Sequence, residues 1–230
     1  MEARSTVLKK ATLKALLESP WRSEDTYVTA GAYMYCSKGT HEEVLSKQDP
    51  NGVYINGSPM LTVEDCVAST SVPGVIKGKP AYLMAEDLNG NFYSFGYCRS
   101  EHHPMKEAEE GNSLQPGYHK FIYDPDEQEP TFNRYVYPCA PQLLPTVSAS
   151  APAGAPFKPK TGSSNSVPSL LEMLENLKVP QVQWTNGSPN VSIQGVAALT
   201  SKSCLSCKYG GEIRLLTNGM DPVPPEFSQR

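Results

Sequence analysis

Residues 50–66, PNGVYINGSPMLTVEDC, recur as residues 188–204, SPNVSIQGVAALTSKSC. Overlaid without a gap, the stretches pair Val53 with Val191, Ile55 with Ile193, Gly57 with Gly195, Leu61 with Leu199, Thr62 with Thr200 and Cys66 with Cys204. In each, β-branched residues two apart lead to a glycine and then to a second apolar position four residues on. That is the pattern of a hairpin with one buried face. Two such hairpins, each closed by a cysteine, predict one shared core built on an internal repeat.

The flanking sequence has the same character. YVTAGAYMYC, from Tyr27, is rich in β-branched and aromatic residues and runs into the turn Cys36-Ser37-Lys38-Gly39. Val44 and Leu45 lead to a turn at Asp49-Pro50-Asn51-Gly52. Beyond Cys66, residues 67–98 predict strands separated by turns at Pro73-Gly74, Gly78 and Asn89-Gly90, closing on Phe95-Gly96-Tyr97-Cys98. Residues 101–120 are polar and predict a surface excursion, and a Tyr-rich strand pair then ends at Cys139-Ala140-Pro141.

Helices are expected in two places. Residues 5–18, STVLKKATLKALLE, carry Val7, Leu13, Leu16 and Leu17 among polar residues, with Ser5 as N-cap and Trp21 as an anchor beyond the end. Residues 142–167 are dominated by Pro, Ala, Ser and Gly, which bury too little apolar surface to offset the entropy of ordering. After this insertion Leu170, Leu171, Leu174 and Leu177 fall at helical spacing between Pro168 and Pro180. The chain therefore divides into an N-terminal helical extension (1–26), the first half of a mostly β domain (27–141), a Pro/Ser/Ala-rich insertion with a short helix (142–181), the second half (182–216) and a C-terminal tail (217–230).

Composition removes several classes of function. A net charge of −4, with Lys and Arg scattered, leaves no patch to neutralise phosphates, so nucleic acid is not an expected partner. No apolar run reaches the length of a membrane span, and MEARSTVLKK lacks the apolar segment of a secretory signal, which predicts synthesis in a reducing cytosol. G-x-S-x-G, H-E-x-x-H, phosphate-loop and dinucleotide motifs are all missing, so the expectation is a protein that is not an enzyme. The Asn-x-Ser triplets at Asn56, Asn186 and Asn190 read as turns.

Six cysteines in a cytosolic chain call for metal ligation or for disulfides formed after export. Cys204-x-x-Cys207 before Gly210-Gly211 has zinc-knuckle spacing, and Cys36, Cys98 and Cys139 each end a strand pattern beside a Gly or Pro. Strand ends converging on one point suit either a tetrahedral thiolate site or disulfides. His41, His102 and His103 lie in polar runs and are expected at the surface, with His103 a secondary ligand candidate.

The ordered set Ala30-Gly31-Ala32, Cys36-Ser37-x-Gly39, Gly52-Val53-Tyr54-Ile55-Asn56-Gly57-x-Pro59, Phe95-Gly96-x-Cys98-x-Ser100, Cys139-x-Pro141, Val191-x-Ile193-x-Gly195 and Leu205-x-Cys207-x-Tyr209-Gly210-Gly211-x-Ile213 resembles the PAAR-like family of contractile injection systems. The resemblance spans about residues 27 to 216. It implies a compact, cone-like β domain that caps and sharpens the trimeric spike of a phage-tail-like or type VI-related machine, one tip per trimer. Such a tip is made in the bacterial cytoplasm, assembled into the particle, exported with it past a target membrane, and in some cases loaded with effector cargo. It also implies a metal ion, zinc with iron as the alternative, held by Cys36, Cys98, Cys139 and Cys207. Cys66 and Cys204 lie outside the pattern and are secondary ligands or a pair of their own. The alternative reading is a secreted, disulfide-stabilised binding or adhesion module.

Overall fold

Three short segments, 26–30, 59–63 and 197–201, meet in a closed ring of backbone hydrogen bonds at one end of the domain. The amide of Val28 donates to the carbonyl of Leu199 (3.2 Å), Leu199 to Leu61 (2.8 Å) and Leu61 back to Val28 (3.0 Å). A second, outer set closes the same triangle with donors running the opposite way round: Ala30 to Pro59 (2.9 Å), Val63 to Ala197 (3.0 Å) and Ser201 to Thr26 (2.9 Å). The bridges between the segments are all antiparallel, Thr29 with Met60, Thr62 with Ala198 and Tyr27 with Thr200. Three directions cannot be mutually antiparallel along one line, so the segments form the sides of a triangle. Val28, Leu61 and Leu199 sit at its three sides, each fully buried.

This is a computed structural model that describes residues 8–22, 25–69, 89–105, 137–146, 182–222 and 224–226, with the backbone of 72–76 and 79–83. Both predicted hairpins are present and feed two sides of the triangle. β3 (Tyr54–Ile55) pairs with β4 (Ser58–Pro59), and β9 (Ser192–Ile193) with β10 (Val196–Ala197). Their tips have positive φ at both central residues, Asn56-Gly57 and Gln194-Gly195, as the strand twist demands of a two-residue connection. Each hairpin closes through an equivalent bond, Met60 to Val53 and Ala198 to Val191, both 2.9 Å.

The main sheet stands on this ring. Its order is β11 (Cys204–Ser206), β12 (Glu212–Leu215), β1 (Ala32–Cys36) and β2 (Glu43–Leu45), all antiparallel. β1 alternates in the expected way: Ala32, Met34 and Cys36 face the main core with Leu61, Phe92, Phe95, Trp184 and Leu199, while Tyr33 and Tyr35 face outward. The outer face is covered by α1 (Lys10–Leu17), whose Leu13 is buried with Leu8 and Leu216 against those tyrosines. Burying one such leucine contributes about 1.5 to 3 kcal/mol, which is what holds an eight-residue helix too short to persist alone. Trp21, the expected anchor, packs against the main core just beyond.

Two further two-stranded ladders complete the described structure: β5 (Val72–Ile76) with β6 (Lys79–Leu83), and β7 (Tyr97–Cys98) with β8 (Tyr137–Pro138). The fold class is thus mostly small antiparallel sheets with one α-helix among the described residues. No helix among them is long and apolar enough to cross a membrane.

Some expectations are corrected. Pro73-Gly74 is not a turn but the middle of β5, opposite Tyr82 and Ala81. A proline is tolerated there because a strand in a two-stranded ladder has a free edge. The N-terminal helix begins at Lys10, after Lys9, with no side-chain cap, and Ser5 lies outside the described residues. Thr217 and Asn218, at the start of the expected tail, are buried; the Thr217 hydroxyl accepts the Tyr33 amide (2.9 Å) and the Asn218 carbonyl the Thr29 amide (2.9 Å). The Leu170–Leu177 helix, most of the 101–120 excursion and the strand pair before Tyr137 lie outside the described residues.

Candidate metal centre

The thiols gather at the end of the sheet away from the ring. Along β1, Ala32 stands opposite Leu45 on the ring side, whereas Cys36 stands opposite Ile213 four residues on, roughly 13 Å away at strand rise. Cys36 then opens a turn closed by the Gly39 amide on the Cys36 carbonyl (2.9 Å). Cys207 opens the matching turn after β11, closed by the Gly210 amide on the Cys207 carbonyl (2.9 Å), with Gly210 at φ +75°. The Cys207 amide donates to Gly211 (2.8 Å) and the Ser37 amide to Glu212 (2.9 Å), so the two turns lie side by side.

Cys98 and Cys139 arrive on the β7–β8 ladder. Cys98 pairs with Tyr137, and the Cys139 amide donates to Gly96 (2.8 Å). This ladder is fixed to the first turn by the Arg99 amide on Lys38 (2.8 Å), the Arg99 guanidinium on Gly39 (2.6 Å) and the Thr40 hydroxyl, which accepts the Tyr97 amide (2.9 Å). Four cysteines from distant parts of the chain thus reach one region, each buried and each a free thiol.

Their electrostatics follow from that placement. Burial pushes the Cys36 thiol up to about 11 and Cys98 to about 12, and raises Cys139 well above the ordinary thiol value. Mutual repulsion adds to burial: Cys207 raises Cys36, Cys36 and Cys207 raise Cys98, and all three raise Cys139. Opposing this, the Lys38 and Gly39 amides point at the Cys36 sulfur and the Ser100 amide at that of Cys98. Those amides favour thiolate in a place where burial alone favours thiol.

The donor set suits a soft divalent ion with a preference for sulfur, which is the chemistry of zinc and of iron. The geometry converges without closing. Among the described residues no group of three or more His, Cys, Asp or Glu side chains is arranged to hold an ion. Buried sulfurs held as neutral thiols gain nothing by closing into a tetrahedron, and each would become a ligand only on giving up its proton to a cation. Cys36, Cys98, Cys139 and Cys207 would hold that cation, and the amides of Lys38, Gly39 and Ser100 would support them.

The other candidates are placed elsewhere. Cys66 donates to the Val182 carbonyl (3.2 Å), and burial followed by the Asp65 and Glu64 charges pushes it up to about 12. It lies on an open cavity of about 310 Å³ also lined by Val67, Leu143 and Val182. Cys204 lies 2.9 Å from the Thr185 hydroxyl. Both are free, so the pairing expected of them is not formed, and none of the six cysteines is in a disulfide.

His103 is not at the surface as expected but fully buried, stacked on Tyr137 (5.1 Å between ring centres) and tilted against Tyr209 (5.3 Å). Its Nδ1 accepts the Met105 amide (3.2 Å), its Nε2 has no hydrogen-bond partner within bonding distance among the described residues, and burial, opposed by the nearby Pro138 carbonyl, pushes its pKa down to about 4. His102 is exposed, and His41 Nδ1 lies 2.8 Å from the Thr40 hydroxyl.

Two further residues shape the region. Tyr209 is pushed up to about 12 by burial and then by Cys207, Cys98 and Cys139, which marks it as a wall of the thiol cluster. Gly211 lies directly against the Cys36 sulfur. The Gly210-Gly211 pair was visible in the sequence, but nothing there distinguishes a glycine needed for turning from one needed for room.

No curated protein and no solved structure matches the chain. A family model does, over residues 28–219, a span that opens on the first ring segment, encloses all four gathered cysteines and stops short of α1 on the other side. The chain belongs to the family described as domain of unknown function DUF4280.

Proposed function

We propose that this protein is a structural spike tip of the PAAR-like kind, one copy of which caps the three-fold end of a spike in a contractile injection system. The observation that carries this reading is the triangle of segments 26–30, 59–63 and 197–201, with its two cyclic sets of hydrogen bonds. A monomer has no need of approximate three-fold symmetry for its own stability. A monomer that must seat on three identical subunits does, because each side of the triangle then meets an equivalent surface.

The polarity of the domain supports the same reading. The ring forms one end, with Tyr27, Ile55, Met60, Val191 and Ile193 packed together beside it and Val53 and Tyr54 exposed on the first hairpin. Cys36, Cys98, Cys139 and Cys207 gather at the other end, where turns replace strands. A metal ion bound there adds a cross-link to the packing, tying the main sheet to the β7–β8 ladder. The roles are mechanical, and no residue is assigned a catalytic part.

The test is direct assembly. Purified full-length protein mixed with a trimeric spike encoded alongside it is expected to give a complex of one tip per trimer by native mass measurement. Tyr54→Glu on the ring-side hairpin is expected to abolish the complex while leaving the circular dichroism spectrum unchanged. Absence of any one-to-three complex with the wild-type chain removes the reading.

A further inference from the structure

The turns at Cys36–Gly39 and Cys207–Gly210 are built alike and lie side by side. Each presents its sulfur from the first position and closes by the amide of the glycine at the fourth. Between them is Gly211, whose φ lies outside the left-handed region, so the backbone itself does not require glycine. A β-carbon there would lie 2.7 Å from the Cys36 sulfur and 3.5 Å from the Cys207 β-carbon. A 2.7 Å approach is well inside van der Waals contact, and Cys36 sits on the rigid end of β1, so the sulfur would have to swing away.

We propose that Gly211 is a positioning residue for metal binding: its missing side chain lets the Cys36 and Cys207 sulfurs approach as one prearranged pair, which Cys98 and Cys139 complete when a soft divalent ion enters. This rests on the reading that the four thiols hold an ion, and not on the docking of the tip to a spike. The pair belongs to the main sheet. The completing cysteines belong to the β7–β8 ladder, which is attached to the first turn by hydrogen bonds from Tyr97 and Arg99.

Cobalt(II) titration of the metal-stripped, reduced full-length protein tests this, with the thiolate-to-cobalt charge-transfer band as readout and chelator competition for affinity. Wild type is expected to develop the band of a tetrahedral thiolate site. Gly211→Ala is expected to bind 10- to 100-fold more weakly, the usual cost of disturbing groups that orient ligands, with an altered band. In a Cys36→Ala background the same substitution is expected to cost no further affinity, because the sulfur it collides with is gone. Equal binding by wild type and Gly211→Ala overturns the positioning role while leaving the thiol site standing. Equal losses in both backgrounds overturn it as well, by showing a general structural effect. A wild type that develops no cobalt band overturns the thiol site and the inference together. Should Gly211→Ala alone not fold, the Cys36→Ala/Gly211→Ala protein is expected to fold as well as Cys36→Ala, and its failure to do so counts against the proposal.

Discussion

Asp65 and Ser203 hold the same post in two copies of the repeat: each accepts the backbone amide of the threonine three residues before it, Thr62 at 2.7 Å and Thr200 at 3.2 Å. Asp65 does more, since its carboxylate also takes Lys47 (2.7 and 2.9 Å), the Thr62 hydroxyl (3.0 Å) and Asn91 (3.3 Å). Its backbone carbonyl also accepts the Trp184 indole (2.8 Å).

The two posts should therefore differ in cost. Asp65→Ala strands a largely buried lysine and is expected to destabilise by about 3 to 5 kcal/mol, whereas Ser203→Ala loses one neutral hydroxyl, which accepts from Thr200 and donates to the Asn186 carbonyl (3.2 Å), and is expected to cost about 1 to 2 kcal/mol. Chemical denaturation of the two variants checks the order. Equal effects would mean that the Lys47 pair contributes nothing beyond the turn.

Metal removal should be felt mainly at the thiol end. The zinc-loaded protein is expected to lose on the order of 10 °C in Tm on chelation, with Cys36, Cys98, Cys139 and Cys207 reacting with thiol reagents only afterwards. Mass mapping of the labelled cysteines separates these four from Cys66 and Cys204. Labelling of the four at equal rates with and without chelator would contradict the assignment.

His103 makes stability fall in acid. Its pKa is about 4 in the folded chain against about 6.5 when unfolded, so the unfolded state takes up the proton first as pH drops. The contribution is complete above about pH 6.5 and is lost as pH falls towards 4, by at most about 1.4 kcal/mol per pH unit, after which the loss levels off. Denaturation midpoints of the chelated protein from pH 7 to 4 measure it, with chelation removing proton competition at the thiols. His103→Gln is expected to flatten the curve across that window.

The hairpin tips offer a stabilising change. Gln194 adopts φ +53° where the first copy has Asn56 at φ +50°, and asparagine tolerates that region better than glutamine. Gln194→Asn is expected to stabilise by about 0.5 kcal/mol and Asn56→Gln to destabilise by a similar amount. Thermal melts of the pair decide it.

These contrasts also explain what was legible in the sequence. The hairpins could be read because Val53, Ile55 and Leu61 and their counterparts repeat at one spacing with a glycine at each tip. The third side of the triangle could not. Tyr27-Val28-Thr29 matches Met60-Leu61-Thr62 and Ala198-Leu199-Thr200, but the sequence before it lacks the apolar-x-apolar-x-Gly pattern of the two hairpins, and Tyr33 stands where the copies have Cys66 and Cys204. Its membership is set by hydrogen bonds across the axis, which leave no local trace. That Cys36, Cys98 and Cys139 end strand patterns was readable from the Gly and Pro beside them, whereas Cys207 joined them as a set only through the family resemblance. The burial of His103 was not, since its neighbours in the chain are polar and its aromatic partners are distant in sequence.

The triangle has a consequence for biosynthesis. Its third side is residues 197–201, and the partner of Met34 in the sheet is Leu215, so the ring cannot close before residues 197–201, nor the sheet before Leu215, have left the ribosome. Pairings between such remote segments are slow to form. The nascent chain must therefore wait with Val28 and Leu61 uncovered, and chaperone capture during translation should be a routine stage in its life.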